Sequence, residues 1–152
     1  MQDDDSGVFF VFTANNMEKF APELVDRFEG RYFIDLPSAD ERKAILKIHL
    51  TLRNQDVEKY NLDDLVRACK DFSGRNIEDS IEEAMGIAFD EDRPMIMDDL
   101  MSVFSLVVPT SKTKKTEIET MRSYVENGLM RQANYLADIN DDEEDAGARD
   151  FL

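Results

Sequence analysis

One histidine, His49, and one cysteine, Cys69, are all that 152 residues offer of the two side chains that build most zinc sites. They exclude a zinc constellation and an internal disulfide, and such sparing cysteine use fits a reducing compartment. Basic residues are also scarce: 18 Lys and Arg stand against 34 Asp and Glu, a net charge of −16. A field of that sign repels phosphate backbones and anionic lipid, so direct binding to nucleic acid or to a membrane surface is disfavoured. No apolar run approaches the ~18 residues of a membrane span. No signal peptide opens the chain, so the expected compartment is the cytoplasm. Nowhere in the chain is there a G-x-x-x-x-G-K-S/T loop of the kind that cradles phosphates.

What is present is ample apolar material, 42% of residues, enough for one ordinary core or two small ones. Val8 to Phe12 is continuously apolar and reads as a strand buried on both faces, the habit of a parallel sheet covered by helices. It stops at Thr13-Ala14-Asn15-Asn16. Pro22 suits a first helical turn, with a short helix to Phe28, and Tyr32 to Leu36 reads as a second strand closed by Pro37. With the rest of a sheet missing, Phe9, Phe10, Phe12 and Phe33 are expected to expose apolar area.

The remainder reads as helical. Ser38 and Glu41 form a capping box, and Ile45, Ile48 and Leu52 carry one face of the first helix. Asn61 caps a second helix with Leu62, Leu65, Val66 and Cys69 at helical spacing. A third starts after Ser73-Gly74 and buries Ile77, Ile81, Ala84, Met85 and Ala88, and a fourth near Asp98 to Val107 offers Leu100, Met101, Phe104 and Val107. Four such helices make a small bundle. Beyond Pro109 lie a basic patch, Lys112 to Lys115, and another amphipathic stretch with Ile118, Met121, Val125 and Leu129. Adjacent acids such as Glu82-Glu83 and Asp98-Asp99 diverge by ~100° on a helix and make poor acid/base partners. The acid run Asp141 to Asp145 reads as a solvated tail rather than a metal site.

In this order, Thr13-Ala14-Asn15, Pro22-Glu23-Leu24, Arg27-Phe28, Leu36-Pro37, Glu41-Arg42, Ile45 to Leu50 and Phe72-Ser73-Gly74 resemble the second half of an AAA ATPase module. The segment from Val108 to Thr113, with the helix after it, is similar to the end of AAA proteins of the conserved plastid and cyanobacterial reading-frame family. The resemblance implies an α/β P-loop NTPase fragment, the last strands of a parallel sheet, over residues 1–37. An all-α four-helix lid subdomain follows over 38–108, then a helical extension over 109–137 and a disordered acidic tail over 138–152.

The resemblance also implies roles. Asn15 matches the sensor-1 asparagine, which holds the attacking water; its plain alternative is to end a strand. Arg27 matches the arginine finger that reaches a neighbouring subunit's site, where a permanently charged planar fork meets phosphate oxygens. Here the preceding arginine is replaced by Asp26, and a surface ion pair of Arg27 with Asp26 or Glu29, or Arg31 acting instead, stay open. Ile45 and His49 match lid positions that pack on the adenine and hydrogen-bond to the nucleoside, while a structural histidine is the bland reading. Gly74 would let backbone approach the base, and Arg75 stands at the sensor-2 position or else pairs with Glu78 or Asp79. ATP and Mg2+ are the implied cofactors, the phosphate loop, its lysine and the metal-binding acids lying outside these 152 residues, so the chain alone is not expected to hydrolyse ATP. The implied partners are neighbouring AAA subunits in a homo-oligomeric ring, a hexamer by family habit, and a protein substrate of unstated kind. The alternatives are a degenerate, non-hydrolysing regulatory subunit docking on an intact AAA ring, and a helical scaffold without nucleotide work.

Overall fold

The computed structural model describes residues 10–14, 17 and 20–133, so Val8, Phe9, Asn15 and the tail from residue 138 lie outside the described residues. The chain divides into two compact units, residues 1–30 and 31–152. In the first, Phe10 to Phe12 forms no strand. A strand needs a neighbour for its backbone groups, and none pairs with this segment among the described residues. Phe10 and Phe12 are exposed, as expected of apolar residues without a sheet, and Phe12 meets Phe28 with ring centroids 5.3 Å apart. Helix α1, Pro22–Val25, is shorter than the expected run to Phe28.

The second unit opens with β1, Tyr32–Phe33, shorter than the expected Tyr32 to Leu36. Helices α2 (Ala39–Leu52), α3 (Leu62–Ala68), α4 (Gly74–Asp90) and α5 (Met97–Leu106) then pack together, α4 against both α2 and α5, and α3 against the same two. A 3-10 turn, Val57–Lys59, precedes α3. The expected caps are in place. Ser38 and Glu41 bond reciprocally at the start of α2, with distances of 2.9 and 3.3 Å, and Asn61 accepts from the Asp64 N–H at the start of α3. Each cap stabilises its helix by about 1 kcal/mol.

The core is built as expected from α3 and α4, where Leu65, Cys69, Ile77, Ile81 and Ala84 are fully buried and Met85 is partly so. Fully burying a leucine or isoleucine contributes roughly 1.5–3 kcal/mol. On α2 the buried face is a different one: Arg42, Leu46 and Leu50 point inward, Ile45 is half-buried, and Ile48 and Leu52 are exposed. The inward stripe runs i, i+4, i+8 through an arginine whose guanidinium donates to the Pro37 carbonyl at 3.0 Å. An apolar count cannot choose that face. On α5 the core residues are Leu100, Val103 and Phe104, with Met101 at the rim; Phe104 meets Phe72 edge-on at 5.5 Å.

After Pro109 come α6 (Thr110–Thr113) and α7 (Lys115–Glu126), then a strand the helical expectation for 109–137 did not include, β2, Arg131–Gln132. β2 lies parallel to β1, with the Arg131 N–H donating to the Arg31 carbonyl at 2.8 Å and the Ala133 N–H to the Phe33 carbonyl at 2.9 Å. The chain leaves α7 through Gly128, at φ 72°, where the Gly128 N–H bonds the Val125 carbonyl and the Leu129 N–H bonds the Tyr124 carbonyl. This paired closure needs a left-handed residue, which glycine supplies without strain.

Candidate functional site

Four of the residues singled out from the sequence meet along one seam between α2 and α4. The two helices run parallel: Ile45 faces Gly74, His49 faces Glu78, and Arg53 faces Glu82. Gly74 is the first residue of α4, and a Cβ added there would lie 3.7 Å from Ile45 Cδ1, ordinary contact that fills the space beside the isoleucine. One turn further along α2, His49 Nδ1 lies 3.0 Å from Arg53 Nη1 and 3.8 Å from Glu78 Oε1. An apolar side chain, a bare backbone and an imidazole therefore lie side by side along the seam. That combination suits a flat, partly polar ring system.

Glu78 is the hub of the charges beside it. Its carboxylate meets Arg53 Nη2 at 3.4 Å and Arg75 Nη1 at 3.3 Å, while Arg75 also binds Asp79 through Nε at 3.0 Å. Arg75 thus occupies the surface pairing with Glu78 and Asp79, and its side chain stays largely exposed. Two residues beyond Gly74, Asn76 Oδ1 accepts from the Ser73 N–H and the Thr110 N–H, both at 3.1 Å, and from the Thr110 hydroxyl. The first turn after Pro109 is thereby fastened to the N-terminus of α4, directly beside the seam.

Arg27 belongs to the first unit and is exposed; its N–H closes the turn after α1 onto the Leu24 carbonyl at 3.1 Å. No carboxylate among the described residues forms an ion pair with it, neither Asp26 nor Glu29. Asn15 lies outside the described residues. Among the described residues no group of three or more His, Cys, Asp or Glu could hold a metal ion. Of the adjacent acids, Asp99 is engaged by Arg93 through two bonds of 2.7 and 2.8 Å. Burial pushes the Cys69 thiol up to about 11, which keeps it protonated and inert.

The sequence reading passed over Arg53 and Asn76, named Glu78 only as a partner of Arg75, and gave Thr110 no site role. Arg53 was visible as the residue one turn after His49, and Asn76 as the third residue after a serine cap; Thr110 carried no signal, since its partner is far away in sequence.

No protein-family model matches the chain. It is 39% identical over 132 residues to the uncharacterized AAA domain-containing protein ycf46 of Guillardia theta, and 35% identical over 130 residues to that of Pyropia yezoensis. These alignments take in 85% and 84% of this chain, which spans about a quarter of the length of each relative, 26% in both. The ATP-dependent zinc metalloprotease FtsH of Mycoplasmoides gallisepticum is 34% identical over 94 residues, 60% of this chain and 12% of that protein. Among solved structures, the FIGL-1 AAA domain in complex with ADP shares the fold with a TM-score of 0.57 at 18% identity, over 73% of this chain and 41% of that one.

Proposed function

We propose, from the premise that this chain is the carboxy-terminal region of an AAA ATPase module, that its α2–α4 seam grips the nucleoside of ATP in a complete module. Ile45 packs on the base, Gly74 admits it close to backbone, and His49 hydrogen-bonds to it. The observation that carries this reading is the bare backbone of Gly74 facing Ile45, where an added Cβ would lie 3.7 Å from Ile45 Cδ1. In the same reading the four helices are the lid, Asn15 orients the attacking water, and Arg27 reaches a neighbouring subunit's site in a homo-oligomeric, hexameric ring that remodels a protein partner. Arg75 would turn to the terminal phosphate by exchanging its two carboxylate partners for it. The seam fits a nucleoside; no described set of acids fits Mg2+, whose ligands, like the phosphate loop, belong to other parts of the module. When bound, ATP with its metal supplies the phosphoryl group to be transferred, and the residues of this chain hold and orient it. No helix among the described residues is long and apolar enough to cross a membrane, in keeping with a cytoplasmic setting.

ADP titrated into the labelled chain should move the resonances of Ile45, His49 and Gly74 first, with weak affinity because the polyphosphate lacks its loop. Gly74→Ala should abolish these shifts while raising stability by up to about 1 kcal/mol, since alanine is the better helix residue. Shifts that avoid the seam, or that survive Gly74→Ala, would remove the reading.

A further inference from the structure

The imidazole at the seam is held by an unusual neighbour. Arg53 follows His49 by one helical turn, and its Nη1 lies 3.0 Å from His49 Nδ1. A guanidinium has five N–H donors, no acceptor, and does not lose its charge in proteins. The contact has one possible sense: Arg53 donates and His49 Nδ1 accepts. A neutral imidazole whose Nδ1 accepts carries its proton on Nε2. We infer that Arg53 is a positioning residue that fixes His49 as the Nε2–H tautomer, so that the seam presents a hydrogen-bond donor and selects a nucleoside acceptor atom.

The guanidinium is itself immobilised. Nη1 also donates to the His49 carbonyl at 3.2 Å, and Nη2 bonds Glu82 Oε1 at 2.5 Å and Glu78 Oε1 at 3.4 Å. Only 15% of the Arg53 side chain is exposed. Glu78 Oε1, 3.8 Å from His49 Nδ1, is too far for a hydrogen bond and is already turned to Arg53. The carboxylates of α4 therefore aim the arginine, and the arginine sets the imidazole. Among the described residues His49 Nε2 has no partner and is not sealed from solvent. It is the ring edge left for a ligand. A donor there can meet a purine ring nitrogen or a ribose oxygen, and it cannot meet an exocyclic amine.

This inference rests on the seam being the nucleoside site, but the tautomer can be read without any nucleotide. His49 is the only histidine, so a long-range 1H–15N spectrum of the labelled chain reports this imidazole alone. With the ring neutral, the expected pattern places the proton on Nε2. A proton on Nδ1 would overturn the assignment at once. Arg53→Met, which keeps the aliphatic length, should let the Nδ1–H form appear; an unchanged pattern in a folded variant would overturn it as well. Should that variant fail to fold, Arg53→Lys, which retains charge and a donor, is expected to keep Nε2–H, and loss of it there would count against positioning by donation.

The ligand arm then uses ADP. Arg53→Met should weaken ADP roughly two- to tenfold, the value of one hydrogen bond, and His49→Ala should weaken it no less. Deaza analogues that each lack one ring nitrogen, and 2′-deoxy-ADP, divide the base from the ribose: one of them should bind wild type as weakly as ADP binds Arg53→Met. If all bind like ADP, the donor role falls. If ADP does not bind at the seam while the Nε2–H pattern holds, it is the nucleoside reading that has failed and not the tautomer.

Discussion

Asp99 shows how much one side chain does for the bundle. The carboxylate is nearly buried, accepts two bonds from Arg93, and takes a third, at 2.9 Å, from the Ile96 N–H at the start of α5. The Arg93 bonds foremost, with the Ile96 N–H, hold its titration below the usual carboxylate range against the opposing effect of burial. In the unfolded chain the same group titrates near ~3.9. The unfolded state therefore takes up the proton first as pH falls, so the stabilisation is complete above that value and is lost as pH drops through the folded one. Urea midpoints followed from about pH 7 down to about pH 3 should fall in wild type, and Asp99→Asn should lower the neutral midpoint and flatten the fall. An equally steep acid limb in Asp99→Asn would assign the pH dependence to other carboxylates. Adjacent acids in a sequence invite a search for acid/base pairs, yet this one was claimed by an arginine six residues away that no helical spacing connects to it.

Among the elements, the segment after Pro109 is the one that joins distant parts of the second unit. Asp35, following β1 with 1% of its side chain exposed, receives Arg122 of α7 in two bonds of 2.6 and 3.0 Å. Arg122→Ala would strip a guanidinium from a nearly buried carboxylate, a change that costs about 3 kcal/mol. Adding Asp35→Asn in the same chain should recover much of that loss, and a double-mutant cycle on denaturation midpoints would show the coupling. If the two changes were additive, the pair would contribute nothing of its own. The helices themselves were legible because their signals are local: the Ser38 and Asn61 caps and the apolar spacing of α3 and α4 stand in the structure as the sequence predicts, while Ser73, expected only to precede a helix, caps α4. The buried face of α2 was not legible, because Arg42 takes a core position through a carbonyl five residues back. Nor was β2, since a two-residue strand has no pattern and exists only through β1. The Glu126-Asn127-Gly128 exit from α7 was the one local sign that the helix would end there. At the seam, Ile45, His49 and Gly74 were named through the family resemblance, while for Arg53 the sequence offered its spacing from His49 but not the contact of its guanidinium with the imidazole.

For the molecule as a whole, the first unit carries the role hardest to place, since the site proposed for its arginine lies on a neighbouring subunit. In a complete module, Arg27→Ala should lower ATP turnover by roughly three to five orders of magnitude with little change in ATP affinity, because such a guanidinium stabilises charge that develops in the transition state. Mixing these subunits with others that lack the phosphate-loop lysine but keep Arg27 should restore part of the activity, each neighbour supplying what the other lacks. Unchanged turnover in Arg27→Ala, with activity lost in Arg31→Ala, would transfer the role to Arg31. In the second unit, β1 and β2 lie side by side and point the same way, although about a hundred residues of chain separate them. Pulling backward on the chain before Arg31 and forward on the chain after Ala133 would load their backbone bonds in shear, all at once rather than one after another. The four helices sit inside that loop. Tension entering at its two ends is borne by the ladder and the Asp35–Arg122 pair before any of it stretches the bundle, so that the pair of strands acts as a mechanical clasp.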